Sequence, residues 1–258
     1  MELYLKFFSM HMKSQMQYKV SFFLTVAGQL IVSFTSFIGI FFMFSRFNQV
    51  DGFAYSEILL CYAVILMAFS FSEMFFSGFD LFPTMLGNGQ FDRVLVRPRN
   101  IIFQVVALRT DFTRIGMTLQ ALLVFCYAIP NSGVVWTSDK IFTIFLMLIC
   151  GVLVFSTLFV IYAALTFFTV EGLEFMNILT YGGKEHGRYP FSIYGDVVLK
   201  FLTYIIPLAL IQYYPLLYLL GRETKAIYML SPLLSLVFLF PGYGFFLFGL
   251  SRYKSTGS

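Results

Sequence analysis

IFTIFLMLICGVLVFSTLFVIYAALTFFTV, residues 141 to 170, carries no charged side chain. A membrane-spanning helix needs roughly 20 mostly apolar residues, and this run exceeds that length. It is not an isolated feature. The 258-residue chain is 59% hydrophobic, 20% aromatic and only 12% charged, with a mean hydropathy of +0.83. Soluble domains carry about 25% charged residues. The composition therefore predicts an all-α polytopic membrane protein with no soluble domain.

Working outward from the long run, five further apolar stretches read as spans: about Phe22 to Phe44, Ile58 to Phe79, Ile115 to Ile129, Val197 to Tyr213 (broken by Pro207), and Met229 to Leu250 (with Pro232 and Pro241). No small-residue cleavage site follows the first run, so it is expected to be retained as a span. Six spans place both termini on one side. With the N-terminus inside, 13 of the 17 Lys and Arg fall in inside segments and four outside, and such residues collect in cytoplasmic loops. Trp136 fits an outer interfacial anchor.

The whole chain, 1–258, reads as one transmembrane domain of a bacterial-type plasma membrane, with both termini cytoplasmic. An interface helix covers 1–20, spans one and two cover 22–79, and a cytoplasmic loop covers 80–114. Spans three and four cover 115–170, a second cytoplasmic loop 171–196, spans five and six 197–250, and a tail 251–258. In the first segment Leu3, Phe7, Met10 and Ser14 oppose Lys6, Lys13 and Lys19, the pattern of an amphipathic helix on the membrane surface.

Catalytic chemistry finds little support. Cys61, Cys126 and Cys150 each lie in an apolar run and suggest packing rather than a disulfide framework. A phosphate-binding loop needs G-x-x-x-x-G-K-[ST]. Around Gly182-Gly183-Lys184, Ile178 replaces the first glycine and Glu185 the hydroxyl. Only His11 and His186 are present, so no metal site is expected, and His186 reads as a solvated loop residue. Glu73 is the one acid well inside a span. Ionisable groups there have a partner or face water. Glu73 either snorkels to or pairs with an inside arginine, or belongs to a transport path. Glu171 and Glu174 close the fourth span. The glycines of GYGFFLFG, residues 242 to 249, suit close helix packing.

GNGQFDRVLVRPRN, residues 87 to 100, is the most basic stretch. Its arginines hold topology and meet anionic head groups. Its spacing adds more. Asn88-Gly89 signals a turn. Phe91, Val94 and Leu95 share one helical face and Arg93 and Arg97 another. Pro98 ends the helix. Such a short amphipathic helix can press into a groove on a soluble partner.

Here the chain resembles the permeases of ABC-2-type ABC transporters, with their type V exporter-like fold. GNGQFDRVLVRP is similar to that family's glycine–apolar–aspartate–arginine–leucine–arginine–proline pattern. LTYGGKEHGRYPFSIYGDVVLKFLTYIIPLALIQYYPLLYLLG, residues 179 to 221, carries the most specific punctuation. The terminal RYKSTGS, residues 252 to 258, adds a third match. The resemblance covers nearly the whole chain. It implies an N-terminal interface helix, six spans, and a coupling helix at Phe91, Asp92, Arg93, Val94, Leu95, Arg97 and Pro98. Phe91, Val94 and Leu95 are expected as the docking face, with Arg93 and Arg97 on ATPase acids or lipid phosphate. It also implies a second permease subunit, as homodimer or paralogous heterodimer, and docking to a cytoplasmic ABC ATPase dimer. That partner binds ATP and Mg²⁺; this chain holds no cofactor. Membrane lipid is a further partner, and nucleic acid is not. Many such permeases carry re-entrant helices between spans five and six. Here the link from about Tyr214 to Tyr228 is short, leaving a partial hairpin around Pro215 and Gly221.

Glu73, Pro207, Pro215 and Pro241 are the candidate transport-path or gating residues, because proline removes a helix hydrogen bond. The 35 phenylalanines contact lipid for the most part, and suit an amphipathic or hydrophobic cargo. Drug-like compounds, a peptide and a lipid-linked molecule all remain open. The alternative is a proton-coupled secondary multidrug transporter. It would want several buried acids or histidines and an internal repeat, and the chain offers Glu73 alone.

Overall fold

The computed structural model describes residues 2–169 and 174–254. The expectations for Val170, Glu171 and the tail from Ser255 lie outside the described residues, as does that for the Leu3 side chain. All regular elements among the described residues are helical, and five stretches are long and apolar enough to cross a membrane. They are α2 (Lys19–Arg46), α3 (Tyr55–Phe76) with its continuation through α4 (Phe82–Gly87), α7 (Ile115–Asn131) with a preceding turn from Phe112, α8 (Ser138–Thr169), and the pair α14 (Ala226–Ser235) and α15 (Leu239–Arg252). Their bounds lie within a few residues of the apolar runs, because hydrophobic length sets a span. Pro241 cannot donate to the preceding turn, and a 3₁₀ turn, Leu236–Phe238, interrupts the last span just before it.

α3 is the central helix. Its residues from Ile58 to Ser70 are all buried, so it shows no amphipathic stripe, as expected of a helix covered on every side. The Glu57 carboxylate accepts the Ala54 amide at 2.9 Å and caps its start. α8 packs along it, and Gly151 makes the crossing close: a Cβ there would sit 2.8 Å from that of Ala68. α15 packs along α8 through Gly242 and Gly249. A Cβ on Gly242 would meet the Thr157 methyl at 2.3 Å, and one on Gly249 the Phe167 ring at 2.7 Å. Small residues let backbones approach where van der Waals contact, rather than water exclusion, drives association. α2 is different. Only Phe22, Ser33 and Ile40 of its 28 residues are buried.

α1 (Glu2–Gln17) is tied to the segment that precedes α7. The Gln15 amide donates to the Thr110 carbonyl at 2.6 Å and accepts from the Phe112 amide at 3.1 Å. The His11 ring nitrogen Nε2 bonds the Ala107 carbonyl at 2.9 Å, and Phe8 packs edge-on to Phe112. The packed face thus contains Phe8, His11, Met12 and Gln15, while Met10 and Ser14 are exposed and Phe7 is half-buried.

The largest departure from expectation concerns residues 171–196, read above as a loop confined to one end. The described part runs the length of the bundle instead, as α9 (Phe175–Leu179), α10 (Tyr181–His186) and a turn at Phe191–Tyr194. Tyr181 reaches Glu73 near the C-terminal end of α3. Lys184 lies over the Phe69 ring, and Gly187 packs against Ile65. Ser192 then bonds Asp51, just beyond the other end of α3. Lys184 and Arg188 therefore lie along the bundle rather than in an end loop. The cation asymmetry, with Lys200 also set aside, becomes ten against four.

The apolar run at 197–213 is correspondingly not a straight span. α11 (Asp196–Tyr204) and the pair α12 (Leu208–Ile211) and α13 (Tyr213–Leu219) are bent by 85°. Pro207 sits in the break, as its missing donor predicts. Both ends of this hairpin lie at the end of the bundle that holds Asp51. Tyr218 donates to Asp139 at 2.6 Å, and Arg222 donates to the Gly52 carbonyl and to Glu57, each at 2.7 Å. Gly221, with φ +70°, makes the turn into α14, a conformation glycine adopts without steric cost. The hairpin is longer than the remnant expected around Pro215 and Gly221, because it takes up the whole run given to span five.

Candidate functional site

Glu73 is fully buried and is not alone. Arg114, at the turn into α7, reaches its Oε1 at 2.9 Å. The Tyr181 hydroxyl donates to the same oxygen at 2.7 Å. Asp111 supports Arg114 from below at 3.5 Å and also meets Arg109 at 3.4 Å. Oε2 of Glu73 has no hydrogen-bond partner among the described residues. An isolated carboxylate in an apolar interior is very costly, and a paired one can persist. Three elements distant in sequence thus meet on one acid.

This cluster forms one wall of a cleft of about 810 Å³. α2 supplies Gln29, Ser33 and Ser36, spaced i, i+4, i+7 and so on one helical face. α3 supplies Tyr62, Leu66 and Glu73. α10 and its extension supply Tyr181, Lys184, Glu185 and Arg188. Glu185 bridges Lys184 at 3.2 Å and also pairs with Arg188. Tyr62 donates to the Ser33 carbonyl at 2.7 Å and ties α3 to α2. Gly116 lets α7 close against α2, since a Cβ there would lie 2.3 Å from the Val26 carbonyl oxygen. Val32, Thr35 and Gly39, also lining the cleft, are exposed. The cleft is therefore open along α2.

Of the expected path residues, Glu73 lines this cleft. Pro207, Pro215 and Pro241 do not. Pro207 and Pro215 are buried in the hairpin, and Pro241 is exposed on the far side of the bundle. Lys184, Glu185 and Arg188 were missed as site residues. Their signal was the charge itself, within a segment whose ends anchor at opposite ends of α3.

The basic stretch forms a single helical turn, α5 (Asp92–Leu95). Asn88-Gly89 does turn, with Gly89 at φ +65°. Phe91 is fully buried against Phe82, Phe167 and Tyr253, and Val94 is buried with it. The expected docking face is thus divided. Phe91 and Val94 anchor the turn, because the bundle's own aromatic core is within reach. Arg93, Leu95, Val96, Arg97, Pro98 and Arg99 are exposed. Tyr253 donates to Asp92 at 3.0 Å. Burial first, and then that bond, raise its phenol above the ordinary value. α6 (Ile101–Leu108) follows, capped by Asn100 accepting the Phe103 amide at 3.2 Å.

No group of three or more metal-ligand side chains is gathered among the described residues. No curated protein and no solved structure matches the chain. A family model described as ABC-2 family transporter protein matches residues 30–257, which is well over half of the sequence and includes every residue lining the cleft but Gln29. The chain belongs to the ABC-2 family of transporter proteins and is a multi-pass permease component of an ABC transporter.

Proposed function

We propose that this chain is the permease subunit of an ATP-driven exporter, and that the cleft is half of its transport path. The observation that carries the reading is a charged and hydroxylated cleft at the depth of the spans, left open along a helix that the chain itself hardly covers. A second copy or a paralogue closes it. α2 exposes Phe23, Leu24, Ile31, Val32 and Phe42 to that subunit and to lipid.

Separate ATPase subunits dock at the end where α5 and the C-terminal Tyr253 meet, which in this reading is cytoplasmic. The exposed Leu95 and Val96, ringed by Arg93, Arg97 and Arg99, form the contact. α1 serves as the interface helix. Phe91 and Val94 hold the turn to α8 and α15, so that a push on it moves the bundle. ATP and Mg²⁺ bind the partner, and the hairpin at 196–219 gates the opposite end.

The test is transport of candidate hydrophobic or amphipathic cargo into inside-out vesicles that contain the chain and its ATPase. Uptake should require hydrolysable ATP and survive an ionophore. Uptake that follows a proton gradient and ignores ATP would replace this reading with the proton-coupled one.

A further inference from the structure

Five charged side chains line the cleft: Glu73, Arg114, Lys184, Glu185 and Arg188. They do not balance. Glu73 is committed to Arg114 and Tyr181, and Asp111 gives Arg114 a second anion. The Glu73 charge also acts on Lys184, but the one carboxylate ion-paired to both Lys184 and Arg188 is Glu185. The two cations are largely covered, with side chains 17% and 21% exposed, whereas Glu185 is 41% exposed. The anion is thus the more exposed partner and the cations the more covered ones. The Phe69 and Tyr181 rings hold the Lys184 ammonium from behind, at 5.1 and 5.8 Å. Beside them stand the neutral donors Gln29, Ser33 and Ser36, and the apolar Val32, Leu66, Met43 and Met117.

We infer that the cleft selects an amphiphile with an anionic head, a phosphate or carboxylate, on an apolar body. The head binds Lys184 and Arg188 and displaces Glu185, which swings toward the open side. Two covered cations at membrane depth that share one counter-ion, Glu185, form the resting site. Charge-assisted contacts from lysine and arginine to phosphate or carboxylate are the strong class of hydrogen bond, and a charge left unpaired at this depth is costly. The resting site therefore needs a replacement anion whenever Glu185 leaves. This inference rests on the reading of the cleft as a transport path and deepens it.

The experiment measures equilibrium binding of radiolabelled dodecyl phosphate to the full chain in phosphatidylcholine nanodiscs. Unlabelled laurate should compete, and dodecyl maltoside and dodecyltrimethylammonium should not. Lys184→Gln and Arg188→Gln should each weaken binding roughly tenfold or more, and Lys184→Arg should restore most of it. Glu185→Gln, which removes the competing anion, should tighten binding. A role for Glu185 in folding alone would not do so. Competition by phosphatidylglycerol in the nanodisc would assign the head group to bilayer lipid, and its absence to free cargo; both support anion selection. Equal competition by all head groups, preference for the cationic amphiphile (drawn to Glu73 Oε2), or weaker binding to Glu185→Gln in folded protein would each overturn the inference. Those results with ATP-driven transport intact would leave the permease reading standing. Loss of ATP dependence with anion selection intact would do the reverse.

Discussion

Ser192 donates to Asp51 at 2.7 Å across 141 residues of chain. Asp51 lies between α2 and α3, at the end of the bundle opposite Asp92 and Tyr253. With Tyr181 on Glu73, Lys184 over Phe69 and Gly187 against Ile65, this bond marks the far end of a segment that follows α3 along its length and leads into the hairpin. The charged string Lys184-Glu185-His186-Gly187-Arg188 belongs to the bundle's interior edge as a result. Chemical labelling can test this. In a chain with Cys61, Cys126 and Cys150 replaced by alanine, Asp51→Cys and Ser192→Cys should react with a membrane-impermeant maleimide from the same side. Arg97→Cys should react from the other. Labelling of position 192 together with position 97 would refute the arrangement.

The pairing of Glu73 with Arg114 at 2.9 Å should be a major support of the fold. Removing one partner of a buried pair costs about 3–5 kcal/mol. Arg114 keeps Asp111, so Glu73→Ala should fall toward the lower end, measured by thermal or denaturant unfolding in detergent. Tyr181→Phe should cost about 1 kcal/mol. The double variant should lose less than the sum, because both bonds end on one oxygen.

Gly242 and Gly244 offer a paired test of helix contact. Gly242 faces the Thr157 methyl with no room for a Cβ, whereas nothing lies within 4 Å of a Cβ on Gly244. Gly242→Leu should destabilise by about 1–3 kcal/mol or more through overpacking, and Gly244→Ala should be silent. Equal effects would show that α15 does not use this face against α8.

The turn at 91–99 separates anchoring from docking. Phe91→Ala should cost about 3–5 kcal/mol of stability, read from the unfolding midpoint. Leu95→Asp and Val96→Asp should leave that midpoint within about 0.5 kcal/mol, as exposed positions do. They should also abolish co-purification with the ATPase. Undiminished association would remove this turn from the interface.

Much of this was legible before any folding was considered. The five long helices follow from apolar run length. The turn at Asn88-Gly89 and the break at Pro207 follow from residues that restrict or free the backbone. Glu73 was legible as an anomaly. Pairing with an inside arginine was one of the readings it allowed, and Tyr181 could not be named. The division of Phe91 and Val94 from Leu95 was hidden as well. Helical spacing groups apolar residues, and it does not say whether the surface they meet is the chain's own.

By itself, the sequence determined the membrane class, the position of the long spans and the family, because each depends on local sums of hydropathy or on short fixed patterns. Tertiary structure alone decided where residues 176–192 and 196–219 go. The charges of the first lower its local hydropathy, so a window over Lys184, Glu185 and Arg188 reads as a solvated loop, while the apolar second reads as a simple span. The cost of placing those charges among helices is offset by partners they acquire only on folding: Glu185 between two cations, aromatic rings behind Lys184, and Gln212 donating to the freed carbonyls of Gly187 and Tyr189 at 3.3 and 3.0 Å. A sum over neighbouring residues contains none of those contacts.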